Sequence, residues 1–477
     1  MSPSPSITEE LSRFHNLLIA NPHAKRFGEK WNSDPAFRDD FASDPSGTLS
    51  RYGIVLDIDD VTRIGQGHDS KTIEHLESVR LQKEMWTQYF YGTVCAPDDA
   101  SWLAWRKRQI SRQIFDLGPQ HALSNIHSSL AIELNKGCSV GCWFCALSPE
   151  RTSTPLIYAA EGKERFATLV NAMQNELGPA VQSGFLYWAT EPLDNPDYEQ
   201  YCLDFHTITG VFPPTTTAIP HKHPDRIRKF LQLSAEHRSW LTRFSVLSVS
   251  LMNKVHSMFT PEELAIAECL PLNRDASFAY GIAGRYREYL KEHPEVLAAQ
   301  QRRLQDAPFY NEIREHLNED THAHGSIACV TGFLVNLVDC TISLIAPTHA
   351  TDEYPLGYIT FATETFSDND GIEGALHRVV CRGRITKLDE SAVCAFAPYV
   401  KVLQEDQDLV FEGRLGTRVR VTLLGTPFDV AVLADLLQDG KSTRRQIIER
   451  FENNADGISA ALDRLWLMGV LREPIAC

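Results

Sequence analysis

The sequence predicts an α/β protein: a partial (β/α) barrel, preceded by an N-terminal helical segment and followed by a C-terminal winged-helix-like domain. Three observations carry that expectation. Between about 126 and 399, short apolar runs alternate with amphipathic stretches, the signature of repeated βα units. The region before it is helical in pattern, and after about 400 a hairpin gives way to three helices. At 477 residues the chain is also too long for one ordinary core. The expected divisions are a helical segment at 1–67, a helical connector at 68–125, the barrel and its extension at 126–399, and the last domain at 400–477.

Composition narrows the class. With 43% hydrophobic and 23% charged residues the chain is globular. A net charge of −16 argues against a general nucleic-acid binder. No signal sequence and no apolar run of about eighteen residues is visible, so neither secretion nor a membrane partner is expected. Eleven cysteines, an odd number, point to reduced thiols and a cytoplasmic location.

In the first segment, Ser6 to Glu9 forms a capping box ahead of Leu11, Phe14 and Leu18 at helical spacing. Asp34-Pro35 opens a further helix with Phe37 and Phe41 four apart, ended by Asp44-Pro45-Ser-Gly47. In the connector, Trp102, Trp105, Arg106, Lys107, Arg108 and Arg112 share one helix, which reads as an amphipathic packing helix.

Strands are expected at 130–134, 185–189, 215–219, 244–251 and 327–337, and helices between them at 161–177, 197–207, 225–234 and 261–270. In such folds the chemistry lies at the carboxyl ends of the strands. Beyond 400, runs at 410–415 and 418–424 form a hairpin around Gly416-Thr417. Helices follow at 427–437, at 443–451 behind a Ser442 cap, and at 458–468, and Val470-Leu471 closes as a short strand.

The most informative stretch is Gly137-Cys138-Ser139-Val140-Gly141-Cys142-Trp143-Phe144-Cys145, which follows the first barrel strand. Zinc normally takes two close pairs of ligands separated by a longer loop, and no partner pair exists here. Three thiolates at this spacing suit a 4Fe–4S cluster with one iron left open. The loop resembles that of the radical S-adenosylmethionine (SAM) enzymes. That resemblance implies Cys138, Cys142 and Cys145 as cluster ligands and SAM as the ligand of the open iron. It further implies Phe144 near the adenine, and Glu191 in Tyr187-Trp-Ala-Thr-Glu-Pro-Leu193 as acceptor for the SAM ammonium. Ser248 and Ser250 stand where hydroxyls could meet the ribose.

Two further resemblances extend this. The run Trp31-Asn-Ser-Asp-Pro-Ala-Phe-Arg-Asp-Asp-Phe41, with Tyr52-Gly-Ile and Asp57-Ile-Asp-Asp60, resembles the helical domain of Nif11-type leader peptides. The runs Ile132-Glu-Leu-Asn-Lys-Gly-Cys-Ser-Val-Gly-Cys-Trp-Phe-Cys145, Tyr187-Trp-Ala-Thr-Glu-Pro-Leu-Asp-Asn-Pro-Asp-Tyr198 and Cys329-Val-Thr-Gly-Phe-Leu-Val-Asn336 resemble radical SAM peptide epimerases of the proteusin type. That family implies conversion of L to D residues in a ribosomal precursor peptide, with a cysteine thiol returning the hydrogen and a small electron-donor protein as partner. Relatives often read Ser-Pro-Cys where this chain has Ala346-Pro347-Thr348, so the donor here is expected to be Cys329, with Cys340 second.

The last domain resembles in outline the peptide-recognition element of peptide-modifying enzymes, which binds a leader as an added strand. Its ten basic and twelve acidic side chains offer no phosphate-binding surface. Two alternatives stay open: another radical modification such as cross-linking or backbone excision, and a leader-binding or regulatory protein with a non-catalytic cluster.

Overall fold

The computed structural model describes residues 7–62, 71, 75, 98–239, 242–276, 278–305, 325–405, 408–422, 426–451 and 453–473. Its twelve described strands are β1 Ser128–Glu133, β2 Asn135–Lys136, β3 Thr154–Pro155, β4 Thr215–Thr217, β5 Thr242–Val246, β6 Ala267–Pro271, β7 Val330–Asn336, β8 Thr341–Pro347, β9 Tyr358–Thr365, β10 Lys401–Glu405, β11 Asp408–Glu412 and β12 Arg418–Thr422. They form sheets of order β1-β7-β8-β9, β4-β5-β6, β2-β3 and β10-β11-β12, none closed into a barrel. The molecule is a mixed α/β protein.

Strand β1 lies parallel to β7, and β7, β8 and β9 run as an antiparallel meander. Strands β4, β5 and β6 are all parallel. A parallel bridge from Ala131 to Phe185 extends the first sheet toward the second. Strand β1 is buried along its whole length, as a strand covered on both faces must be. Leu130 and Ile132 face an outer core with Phe166, Leu169 and Val170 of the helix Ala160–Leu177. Ala131 faces the other side, among Phe185, Tyr187, Trp188, Cys329, Leu334, Ile345 and Tyr358.

The Arg243 charge on β5 acts on the thiol of Cys329, which directly precedes β7, so the two sheets come near one another on that side.

The N-terminal segment contains helices Ile7–Ile19, Pro22–Ser33, Pro35–Ser43, Pro45–Arg51 and Ile58–Thr62. Asp34 caps the third by accepting from the amides of Ala36 and Phe37, and Asp44 caps the fourth through Gly47. Phe27, Phe37, Phe41, Leu49, Ile54 and Val61 make its core. Ser6 lies outside the described residues, as does most of the connector before Asp98.

The connector helix Ala100–Asp116 is a packing helix: Trp102, Trp105, Arg106, Arg108 and Arg112 are all buried. Arg106 donates to the carbonyl of His127 at 2.8 Å, tying the helix to the start of β1. Arg108 lies 3.2 Å over the Trp466 ring and pairs with Glu473, tying the same helix to the last domain.

Several expectations are corrected. Only Phe185 of 185–189 pairs as strand, because the amide of Ala189 donates to the Glu133 carboxylate at 2.8 Å instead of to a neighbouring backbone. The run 244–251 divides: β5 ends at Val246, and Ser248 caps the helix Val249–Met258 by accepting from Leu251 at 3.0 Å. The stretch 261–270 is no helix. Thr260 and Glu263 exchange capping bonds of 2.8 and 3.1 Å, but the chain then extends as β6 against β5.

The last domain has three strands rather than two, followed by helices Pro427–Asp439, Arg444–Glu449 and Ala455–Leu467. Thr443, not Ser442, caps the second, sharing a reciprocal pair of bonds with Gln446. Leu471 pairs only as an isolated bridge to Phe396. Leu388 and Cys394 belong to this domain's core, which therefore begins before residue 400.

Candidate functional site

The three-cysteine loop leaves the carboxyl end of β1 through a glycine that no other residue can replace. Gly137 has φ 79°, and a Cβ there would collide with the Thr152 carbonyl. The Cys138 amide then donates to the Glu150 carbonyl at 2.9 Å, so the loop closes on itself. Ser139 adds two bonds to Asp194, from its amide at 3.0 Å and from its hydroxyl at 2.7 Å.

Cys138, Cys142 and Cys145 are all half-buried. Burial pushes the Cys142 thiol up to about 12, with the charges of Cys145 and Cys138 adding to it. Burial also raises Cys138, helped by Glu191 and Asp194. The three sulfurs thus sit within each other's field, with Glu191 in the same field.

Phe144 is stacked on Tyr280, centroids 4.6 Å apart, so that ring is the partner on its face. Glu191 is buried, and its carboxylate accepts from Thr217 Oγ1 at 2.5 Å and from the amides of Ala218 at 2.8 Å and Leu193 at 3.2 Å. Ser248 is the helix cap already described, and Ser250 lies in that helix's first turn rather than at a strand end. Thr348 is buried, its hydroxyl donating to Asp116 at 2.5 Å.

The two donor candidates fall at opposite ends of β7. Cys329 precedes the strand, its carbonyl accepting from Ser128 at 2.8 Å, and belongs to the Ala131 side of β1. Burial pushes its thiol up to about 12, against the pull of the Arg243 charge. Cys340 stands in the β7–β8 turn with φ 52°, its sulfur 3.7 Å from Arg165 and packed against the outer core.

Sequence reading passed over Glu133, Tyr358, Arg243 and Asn336, although strand alternation puts Glu133 on the same face as Ala131. Glu133 accepts from Ala189 and, at 3.0 Å, from Asn336 Nδ2. Burial drives its carboxyl up to about 7, and does the same to Glu191.

The sign of the pH effect follows. An unfolded glutamate ionises near 4.5, whereas each of these keeps its proton to about 7. Their contribution to stability is complete below 4.5 and is lost as pH rises through 7, about 3 kcal/mol per group. The melting temperature of Glu133→Gln is expected to fall less steeply between about pH 5 and 8 than that of the wild type. Equal slopes would show that Glu133 is ionised in the folded protein throughout.

Among the described residues, the trio with ligand atoms within 4.8 Å of one another is Glu29, His256 and Cys269. It lies where the helix Pro22–Ser33 meets β6 and the helix Val249–Met258. The Lys25 ammonium, 2.6 Å from Glu29, already supplies the positive charge there. No described helix is long and apolar enough to cross a membrane.

Fold and loop together define a mixed α/β protein with three cysteines at the carboxyl mouth of a parallel strand. The chain is 30% identical over 480 residues, 95% of its own length and 87% of the relative's, to a protein of Sinorhizobium fredii (strain NBRC 101917 / NGR234) described as the uncharacterized protein y4wI. It belongs to the family of that protein. No known family's sequence profile matches the chain, and no solved structure does.

Proposed function

We propose that the protein is a radical SAM peptide epimerase that converts L residues of a ribosomal precursor peptide to D residues. The observation that carries this reading is the three-cysteine loop beyond the carboxyl end of β1, with the thiol of Cys329 beside the amino end of the same strand. In this reading the parallel strands of the two sheets belong to a partial radical SAM barrel. The donor set fits the cluster: three half-buried thiols in mutual electrostatic reach, on a loop whose backbone is already fixed.

Cys138, Cys142 and Cys145 would hold a 4Fe–4S cluster, which with SAM would supply a 5′-deoxyadenosyl radical. The chain's own residues do the rest. Glu191, in the field of the cysteines, offers a carboxylate above about pH 7, where it is ionised, and the Ser248 hydroxyl keeps a proton to donate. Trp188, Tyr187, Tyr358 and Leu334 pack together on the Ala131 side of β1 and would be the apolar side chains a peptide segment meets. A Cα that has lost its hydrogen atom to that radical, giving 5′-deoxyadenosine, would regain one on its other face from Cys329: the S–H bond breaks, the C–H bond forms, and the centre inverts. The sulfur radical left behind takes one electron and one proton through an external electron-donor protein. Among the described residues β10 and β12 are the edge strands of their sheet, and the leader would add a strand at one of them.

One observation favours a second reading, a cross-link or backbone excision. Thr348, where relatives often carry cysteine, is locked to Asp116 and has no thiol to give.

Anaerobic turnover with SAM, dithionite and the neighbouring precursor peptide in deuterated water separates these. Epimerisation is expected to add about one dalton per altered site, because the donor thiol exchanges with solvent, and to yield D residues on hydrolysis. Cys329→Ala should then still produce 5′-deoxyadenosine but no D residue, while Cys340→Ala should behave as wild type. A changed peptide mass in ordinary water would establish the second reading. No deoxyadenosine from a protein with a verified cluster would leave a leader-binding or regulatory role.

A further inference from the structure

We propose that Arg285, presented by Gly284, is a positioning residue that fixes the three-cysteine loop and sets the reduction potential of the cluster bound there; this rests on the reading of that loop as a cluster site. Arg285 stands in the first turn of the helix Gly284–Glu292, 140 residues beyond the last of the cysteines, yet four of its bonds end on their loop. Its amide donates to the Cys145 carbonyl at 3.0 Å and also to the Ser148 hydroxyl. Its guanidinium donates to the Cys142 carbonyl at 2.8 Å and to the Pro149 carbonyl at 3.0 Å.

The approach is close because Gly284 has φ 50° and no side chain; a Cβ there would collide with the Ala146 carbonyl. A second contact holds the same helix down. Trp143, between two of the cysteines, meets Tyr286 and Tyr289 edge to face at 5.6 and 5.1 Å. The loop needs such a hold, since Ser148 sits at φ 51°, a conformation that persists only when its surroundings impose it.

Two effects follow for the cluster. The planar guanidinium ties the Cys142 carbonyl to the Pro149 carbonyl at a fixed spacing, which no ammonium can do, while the Arg285 amide holds the Cys145 carbonyl, so the second cysteine is fixed relative to the third through one residue. The fixed positive charge beside the Cys142 peptide favours the reduced, more negative cluster, so it raises the potential.

The test uses the full chain reconstituted anaerobically, with Arg285→Gln, Arg285→Lys and, as control, Arg287→Gln. The Arg287 guanidinium pairs with Asp352 at 2.7 Å and with Glu288 at 3.2 Å, and among the described residues it bonds nothing in the loop. Iron per chain, the midpoint potential followed by electron paramagnetic resonance, and circular dichroism are measured. R285Q is expected to retain its fold, to lose iron about tenfold more readily, and to shift the midpoint to more negative values. R285K should lose iron likewise but keep the midpoint near that of wild type, and R287Q should match wild type in both. Should wild type bind a cluster and R285Q equal it in iron retention and midpoint, the proposal is overturned. An R285K midpoint as negative as that of R285Q overturns the charge effect. A wild type that binds no cluster overturns instead the reading of the loop on which this rests.

Discussion

Alanine at Cys138, Cys142 or Cys145 is expected to give a folded protein that holds no cluster and forms 5′-deoxyadenosine only at background. The loss should be complete because the loop supplies three ligands with no spare. Among the other described cysteines, Cys202, Cys269 and Cys394 are buried in cores, Cys381 is exposed on the helix Gly371–Gly383, and Cys329 and Cys340 sit at opposite ends of β7. The fold should survive because the loop's shape rests on its backbone: the Cys138 amide on Glu150, the Gly137 turn, and the Cys142 and Cys145 carbonyls on Arg285. None of those bonds uses a sulfur. Visible absorption, iron analysis and circular dichroism on one sample check both halves of the expectation. Cys381→Ala is the control and should keep its cluster. If a single alanine variant retained cluster absorption and cleaved SAM, that cysteine would not be a ligand.

How much of this was legible in the sequence differs by element. The cysteine spacing singled out the loop after β1, and βα alternation located β1, β4, β5 and β7. Apolar periodicity failed where a genuine local signal was cut short. Thr260 and Glu263 do form the capping bonds of a helix start, but pairing with β5 draws residues 267–271 into a strand. The same competition hid Ser248: an apolar run that reads as one strand is a strand, a cap and a helix. Glu133 and Arg285 were invisible for another reason. A lone glutamate in a strand and a lone arginine at a helix start carry no pattern, and only the fold shows that one accepts from the Ala189 amide and the other reaches back to the cysteines. Glu191 was found by motif, but its three internal bonds come from Leu193, Thr217 and Ala218, two of them on another strand's end, which spacing does not reveal.

Glu29→Ala is expected to destabilise the protein by about 3–5 kcal/mol, the cost of removing one partner from a buried charge network. Glu29 comes from the N-terminal helix Pro22–Ser33, yet its carboxylate is the meeting point of three elements. Oε1 accepts from Lys25 at 2.6 Å and from the Cys269 amide on β6 at 2.9 Å, and Oε2 bonds His256 Nε2 at 3.0 Å. Burial alone would push this carboxyl up, but the Lys25 charge and the His256 bond more than offset it and hold it at about 2. Its folded pKa lies below the ordinary 4.5, so its stabilisation is present above 4.5 and is lost as pH falls through 2. The acid limb of the stability curve should therefore be shallower in Glu29→Gln than in wild type. Glu29→Gln keeps the shape and one acceptor and should cost less than alanine, about 1–3 kcal/mol. Denaturant unfolding near pH 7 measures both, and an alanine variant within 1 kcal/mol of wild type would show that the network adds little. A zinc titration gives the converse check on the same residues. Glu29, His256 and Cys269 have the chemistry of metal ligands, but a zinc ion would have to displace the Lys25 ammonium and ionise a buried Cys269 thiol that burial holds far above its ordinary range. Added zinc should leave the melting temperature of wild type unchanged. A rise would mean that the N-terminal helices are joined to β6 through a metal rather than through an ion pair.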